Sequence, residues 1–201
     1  MNRKEYLGVG WNLKVDSVEN WSYIENLFSA EECDNIVAFG KQYSLNKAGT
    51  GNQQHEHKDH DTLIRDSNIV FIEACSEFQW VYERLTSAVL KTNEQFYNFD
   101  LFSFGESLQF SEYGVGQKYD YHIDKSYRGV IRKLSISLQL SNPSDYVGGD
   151  LQIKIGTDDM QTTRERGSLI VFPSYVLHRV TPVTQGTRYS LVGWVNGNPF
   201  K

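Results

Sequence analysis

The chain has 201 residues, of which 39% are hydrophobic and 13% aromatic, enough to bury a core as one domain. A formal net charge of −5 and a pI near 5.5 give no basic field for a phosphate backbone, which disfavours general polyanion binding and a nucleic-acid partner while leaving room for a local basic groove. The opening residues MNRKEYLGVGWNLKVDS lack the apolar stretch of a signal peptide, and no apolar run reaches the length of a membrane span, so a soluble, cytoplasmic protein without membrane attachment is expected. Cys33 and Cys75 stand without a C-x-x-C spacing and read as two reduced packing thiols.

In chain order, WSYIENLFSAEECDNIVAFGKQY begins extended and turns helical near Ser29. Ser29 followed by Glu32 forms a capping box, and Cys33, Ile36, Val37 and Gly40 share one face, which predicts a helix from Ala30 to Tyr43. Residues 46–61, NKAGTGNQQHEHKDHD, hold almost no apolar side chain, so a mobile loop of the lid type is expected there. Its His55, His57, Asp59, His60 and Asp61 offer metal ligands, but a solvated charge cluster accounts for them better. LIRDSNIVFIE is extended again. SEFQWVYERLTSAVLKTNEQFY reads as a second helix with Trp80, Leu85 and Val89 on its apolar side, Trp80 being core rather than binding surface.

From residue 99 short strand-like runs follow one another: LQFSEY, KYDYHI, KLSISLQLS, DLQIKI, SLIVF, LHRV and RYSLVGW. Ser-Asn-Pro-Ser, Gly148-Gly149 and Gln185-Gly186 supply turns between them. In KLSISLQLS, Leu134, Ile136, Leu138 and Leu140 face one way and Ser135, Ser137 and Gln139 the other, as for a strand lining a wet pocket. The expected fold is an all-β core with flanking helices (α+β), a double-sheet jelly roll. The chain is divided within one domain into support over residues 1–98 and a strand-rich core over 99–201.

His122 and Asp124 in YDYHID lie two positions apart, so an extended chain projects both to one face while Ile123 points away. An isolated H-x-D on an edge strand means little, and its partners decide. Downstream, the strand-rich half holds one further histidine, His178, and Arg188 follows ten residues later. Two histidines and a carboxylate are the protein ligands of the facial triad, which leaves metal positions open and suits non-haem Fe(II). Where a 2-oxoacid fills two of those positions, a buried guanidinium can clamp its far carboxylate.

The runs LQFSEYGVGQKYDYHID, RKLSISLQLSN, GGDL and GSLIVFPSYVLHRVTPVTQGTRYSLVGW strongly resemble the Fe(II)- and 2-oxoglutarate-dependent dioxygenases of the prolyl 4-hydroxylase type, including bacterial and phage hydroxylases. The resemblance is close over residues 106–195. NLFSAEECDNIV and IRDSNIVFI extend it toward the start of the chain. It implies a double-stranded β-helix of the cupin-like kind, with residues 99–201 as the catalytic core. It also implies Fe(II), 2-oxoglutarate and O2 as cofactor and cosubstrates, with ascorbate as a reductant.

Residue by residue, the resemblance makes His122, Asp124 and His178 the iron ligands and Arg188 the grip on the distal carboxylate of 2-oxoglutarate. Tyr113 matches a tyrosine that contacts the cosubstrate, Tyr119 a second aromatic near the site, and Gln139 a second cosubstrate hydrogen-bond donor. Trp194 matches the tryptophan that closes the last strand and is mainly structural. Arg132, Arg65 and Ser67 match positions that face the substrate.

Collagen-type and plant members place lysine where Arg188 stands, so the resemblance points to the microbial branch. Asp124 argues for hydroxylation, because halogenating relatives carry a small residue there. The implied activity is hydroxylation of an unactivated C–H bond, that of a prolyl residue in a peptide or protein, with release of succinate and CO2. The same chemistry on a free amino acid, another small molecule or a nucleobase is the alternative, and a catalytically silent jelly-roll binding module is the second.

Overall fold

The computed structural model describes residues 18–48, 64–124 and 131–199. The histidines and acids between 49 and 61, and with them most of the expected lid, lie outside the described residues. Strands β1 (Ser22–Ile24), β2 (Asn46–Lys47), β3 (Arg65–Asp66) and β4 (Asn68–Ile72) accompany two helices, α1 (Ala30–Gly40) and α2 (Gln79–Thr92). Strands β5 (Leu101–Phe104), β6 (Leu108–Tyr113), β7 (Lys118–His122), β8 (Arg132–Gln139), β9 (Tyr146–Gly148) and β10 (Leu151–Ile155) follow. The last are β11 (Asp158–Gln161), β12 (Leu169–Pro173), β13 (His178–Val180), β14 (Val183–Gly186) and β15 (Arg188–Gly197).

The capping box forms as the sequence predicts. Ser29 Oγ accepts from the Glu32 N–H at 3.2 Å, and Glu32 Oε2 accepts from the Ser29 N–H at 2.9 Å. Glu32 Oε2 also pairs with Arg84 on α2 at 2.6 Å, tying the two helices together. Helix α1 stops at Gly40, three residues short of the expected Tyr43. Gly40 lies against the Phe110 ring, where a Cβ would come within 2.6 Å of the ring carbons, so the helix reaches the sheet through a glycine. Helix α2 starts later than the pattern implied and passes into a π-helical turn over Asn93–Tyr97, closed by Asn98 at φ 52°.

The strands form a jelly roll. The large sheet runs β1-β12-β8-β15-β6-β4-β2, with β5 also paired to β15. A smaller sheet runs β11-β10-β13-β7-β3, and β14 pairs with β9. Every strand-like run expected beyond residue 99 is a strand. Asn46 and Lys47, expected in a loop, instead pair with Ile69 and Asn68 at the edge of the large sheet. Two polar residues satisfy an edge position because the neighbouring backbone, rather than burial, holds them. Gln185 and Gly186, expected as a turn, pair with Val147 and Tyr146 at the end of β14.

The large sheet has two unlike faces. Leu134, Ile136 and Leu138 from β8 and Leu140 just beyond it, Leu108 and Phe110 from β6, and Leu191 and Val195 from β15 pack against Cys33 and Ile36 of α1 and Val81, Leu85, Ala88 and Val89 of α2. The opposite face of β8, Ser135, Ser137 and Gln139, is also buried but turned toward the smaller sheet. Both cysteines are free thiols. None of the described helices is long and apolar enough to cross a membrane.

Candidate metal and cosubstrate site

Between the sheets lies a cavity of about 470 Å³ whose wall includes His122, Asp124, His178, Arg188, Tyr113 and Tyr119. The pairing of β13 with β7 sets His178 opposite His122 in register, with ring centroids 4.1 Å apart. Asp124 arrives differently from the sequence expectation, because β7 ends at His122. The Asp124 N–H donates to Ser174 O at 2.9 Å, and Ser135 Oγ donates to Asp124 Oδ2 at 2.7 Å, so backbone and side chain together aim the carboxylate. Asp124 Oδ1 lies 3.7 Å from His122 Nε2 and Oδ2 lies 3.5 Å from His178 Nε2. One ligand atom from each of the three residues falls within 4.8 Å of the others.

Both imidazoles are oriented through the ring nitrogen that faces away from the cluster. His122 Nδ1 sits 2.8 Å from Asp120 O and His178 Nδ1 2.9 Å from Val176 O, so in the neutral tautomer Nδ1–H donates to a carbonyl and the Nε2 lone pair is left for a cation. Burial, reinforced by the neighbouring His178, holds His122 far below the usual imidazole range, and it is therefore neutral without metal. Burial alone would raise the Asp124 pKa. The electrostatic influence of the adjacent His178 and His122 and the Ser135 hydrogen bond outweigh it and hold the carboxyl below its usual range.

Arg188 begins β15 and is only 1% exposed. Its guanidinium is held by neutral groups: Nη1 donates to Ser190 Oγ at 3.2 Å and Nη2 to Gln139 Oε1 at 3.0 Å, while Nε has no partner among the described residues. No described carboxylate pairs with it. Gly149, at φ 64°, gives it room, since a Cβ there would stand 3.1 Å from Arg188 Cδ. A buried guanidinium without a counter-charge is costly unless an anion completes it. Two imidazoles, one carboxylate and this arginine in a single cavity fit Fe(II) with a 2-oxoacid.

The other sequence candidates fall in different places. Tyr113, on the wall, is in register with Arg188. Tyr119 stacks on His122 with centroids 3.4 Å apart and planes at 11°, and burial pushes its hydroxyl up to about 12. Arg65 is on the wall with its guanidinium 4.6 Å above the Tyr119 ring. Arg132 stacks on Trp194 at 4.1 Å, donates to Asp124 O at 3.2 Å and binds Glu106 Oε1 at 2.7 Å.

Gln139 and Ser67 are absent from the described wall. Gln139 accepts from Arg188 and donates to Ser137 Oγ at 3.3 Å, and Ser67 Oγ accepts from Arg65 Nε at 3.3 Å. Sequence reasoning passed over Gln109 and Ser190, and placed Ser135 on the pocket-lining face of its strand without naming Asp124 as its partner. Gln109, Ser111 and Tyr113 alternate along β6, so the same period that marked the polar face of β8 was available there.

Residues 108–196 match the family model of the 2OG-Fe(II) oxygenase superfamily. A PKHD-type hydroxylase of Gloeothece citriformis is 45% identical over 92 residues, a stretch covering 44% of this chain and 42% of that relative. A PKHD-type hydroxylase of Synechococcus elongatus is 43% identical over 94 residues, with coverage of 44% and 42%. The match thus spans less than half the length of these relatives.

Two solved structures share the fold. A Pseudomonas putida prolyl-4-hydroxylase superposes with a TM-score of 0.71 at 24% identity, covering 90% of this chain and 94% of the other. A Trichoplax adhaerens prolyl hydroxylase, solved with a hypoxia-inducible-factor peptide fragment, gives 0.72 at 17% identity, with coverage of 89% and 84%.

Proposed function

We propose that this chain is an Fe(II)- and 2-oxoglutarate-dependent dioxygenase that hydroxylates a C–H bond of a prolyl residue in a peptide or protein. The observation that carries the reading is the cluster of His122, Asp124 and His178 in one cavity with a buried, uncompensated Arg188. When bound, the iron, with 2-oxoglutarate and O2, supplies oxidising power that places one oxygen atom in the substrate and the other in succinate, with release of CO2.

The protein's part is to hold and to position. His122 and His178 present Nε2 and Asp124 presents a carboxylate oxygen, each fixed from behind by Asp120 O, Val176 O and Ser135 Oγ. Arg188 receives the distal carboxylate of the cosubstrate in a charge-assisted pair, and Tyr113 lies beside it in register. Ser190 and Gln139 keep the guanidinium fixed without cancelling its charge. Phe172, Val180 and Leu151 line the same wall with apolar surface and limit water around the reacting atoms.

The deciding experiment measures succinate formation with Fe(II), 2-oxoglutarate and O2 across proline peptides, free amino acids and single-stranded nucleic acid, with mass spectrometry of each candidate. A peptide that stimulates succinate and gains one oxygen on proline is the expected result. Stimulation by a different pool moves the substrate while keeping the chemistry, and absence of succinate from every pool with iron bound overturns the reading.

A further inference from the structure

The cavity holds a second buried guanidinium that the cosubstrate does not use. Arg65 is 8% exposed, stands on the wall beside the triad, and donates through Nε to Ser67 Oγ, a neutral group. It has no carboxylate partner among the described residues. The other two cations on the wall differ in that respect, since Lys47 pairs with Asp66 at 2.7 Å and Arg132 with Glu106. Asp124 is the one carboxylate on the described wall.

The proposed function turns this into a charge count. Among the described residues, the guanidinium charges of Arg65 and Arg188 and the two charges of Fe(II) face one protein carboxylate and the two carboxylates of 2-oxoglutarate. One positive charge is left over, at Arg65. A buried guanidinium with its flat face already on an aromatic ring keeps its N–H edge for a planar anion. Resting on the oxygenase reading, the geometry points to a substrate that carries a carboxylate side chain close to the oxidised residue, received by Arg65.

The spacing bounds where that carboxylate lies. The Arg65 guanidinium is 4.6 Å from the Tyr119 ring, and that ring is 3.4 Å from the ring of His122. Arg65 thus stands one aromatic ring away from a triad histidine, near enough that an acid close to the oxidised residue of an extended substrate, at ~3.3–3.6 Å per residue, falls within its reach. Arg65 lies on β3, paired to β7 with Arg65 opposite Tyr119, so the receiving group is fixed to the strand that ends at the triad.

The test uses fluorescently labelled proline peptides with aspartate at one of the two positions on either side of the proline, each matched to its asparagine counterpart. Binding is read by anisotropy under anaerobic conditions with Fe(II) and 2-oxoglutarate present. At one position or more, the acid is expected to bind about tenfold more tightly than its amide, the effect of one buried charge-assisted contact. Arg65→Gln should remove that preference and Arg65→Lys retain part of it.

Equal affinities within every pair, or a preference that survives Arg65→Gln, overturn the inference. The wild-type comparison decides the matter even if the variants fail to fold. Failure of all the peptides to bind also overturns it. In that case slow iron-dependent consumption of 2-oxoglutarate without substrate shows that the oxygenase reading stands, and its absence shows that both fall.

Discussion

The two faces of the large sheet carry nearly the same strands and opposite chemistry. Toward the helices, Leu134, Ile136, Leu138 and Leu140 join Phe110, Leu191 and the apolar sides of α1 and α2 in one continuous cluster. Toward the smaller sheet, the same β8 shows Ser135, Ser137 and Gln139, and the apolar cluster there is smaller, built around Ile153, Ile170 and Phe172. Hydrophobic burial holds the molecule together on one side, which leaves the other free to bury hydrogen-bonded polar groups that contribute little net stability. Stability and chemistry are thus assigned to alternate residues of single strands.

If that division is right, substitutions on each face move different measurements. The largest effect is expected for His122→Ala or Asp124→Ala, which remove a ligand. Iron-dependent succinate formation should disappear, while the thermal transition of the metal-free protein stays close to wild type. A collapse of the transition in both would mean that the cluster is structural. Next comes Leu138→Ala on the helix-backed face, fully buried in the wild type. It should cost about 2–5 kcal/mol in denaturant unfolding, with the 2-oxoglutarate requirement of the folded fraction unchanged.

Arg188→Ala should raise the 2-oxoglutarate concentration for half-maximal turnover by about thirtyfold or more, as expected when one partner of a buried charge pair is lost, and leave unfolding near wild type. The smallest shift is expected for Gln139→Leu, which keeps the arginine and removes one of the groups that position it. An increase of about tenfold in the same requirement, with kcat little changed, would mark Gln139 as a positioning residue. An unchanged requirement would make its contact with Arg188 incidental.

Much of this arrangement was legible because it depends on short-range periodicity. The alternation in KLSISLQLS separated the two faces of β8, and the order H-x-D, H, R isolated the four residues that the fold gathers into one cavity. What stayed hidden depends on pairing between distant strands. Nothing local to Gln139 says that its amide meets Arg188; that follows from β15 lying beside β8 with Ser190 opposite Gln139. Likewise Ser135 reaches Asp124 only because β8 passes beneath the end of β7, and Asn46 and Lys47 become a strand because β4 offers them an edge. Polar composition marked 46–47 as loop, and backbone pairing overrode it.

The place of β15 also shapes how the protein is made. This strand lies between β8 and β6 and also pairs with β5, yet it follows all three in the chain. The earlier strands therefore leave a vacant slot along their edges until β15 arrives, and Arg188, its first residue, is among the groups brought in with it. Such non-local closure slows folding and exposes unpaired edges in the interim. During synthesis the nascent chain must carry an unfinished sheet past the ribosome, so chaperone demand and sensitivity to translational pausing should concentrate on the interval before β15 emerges.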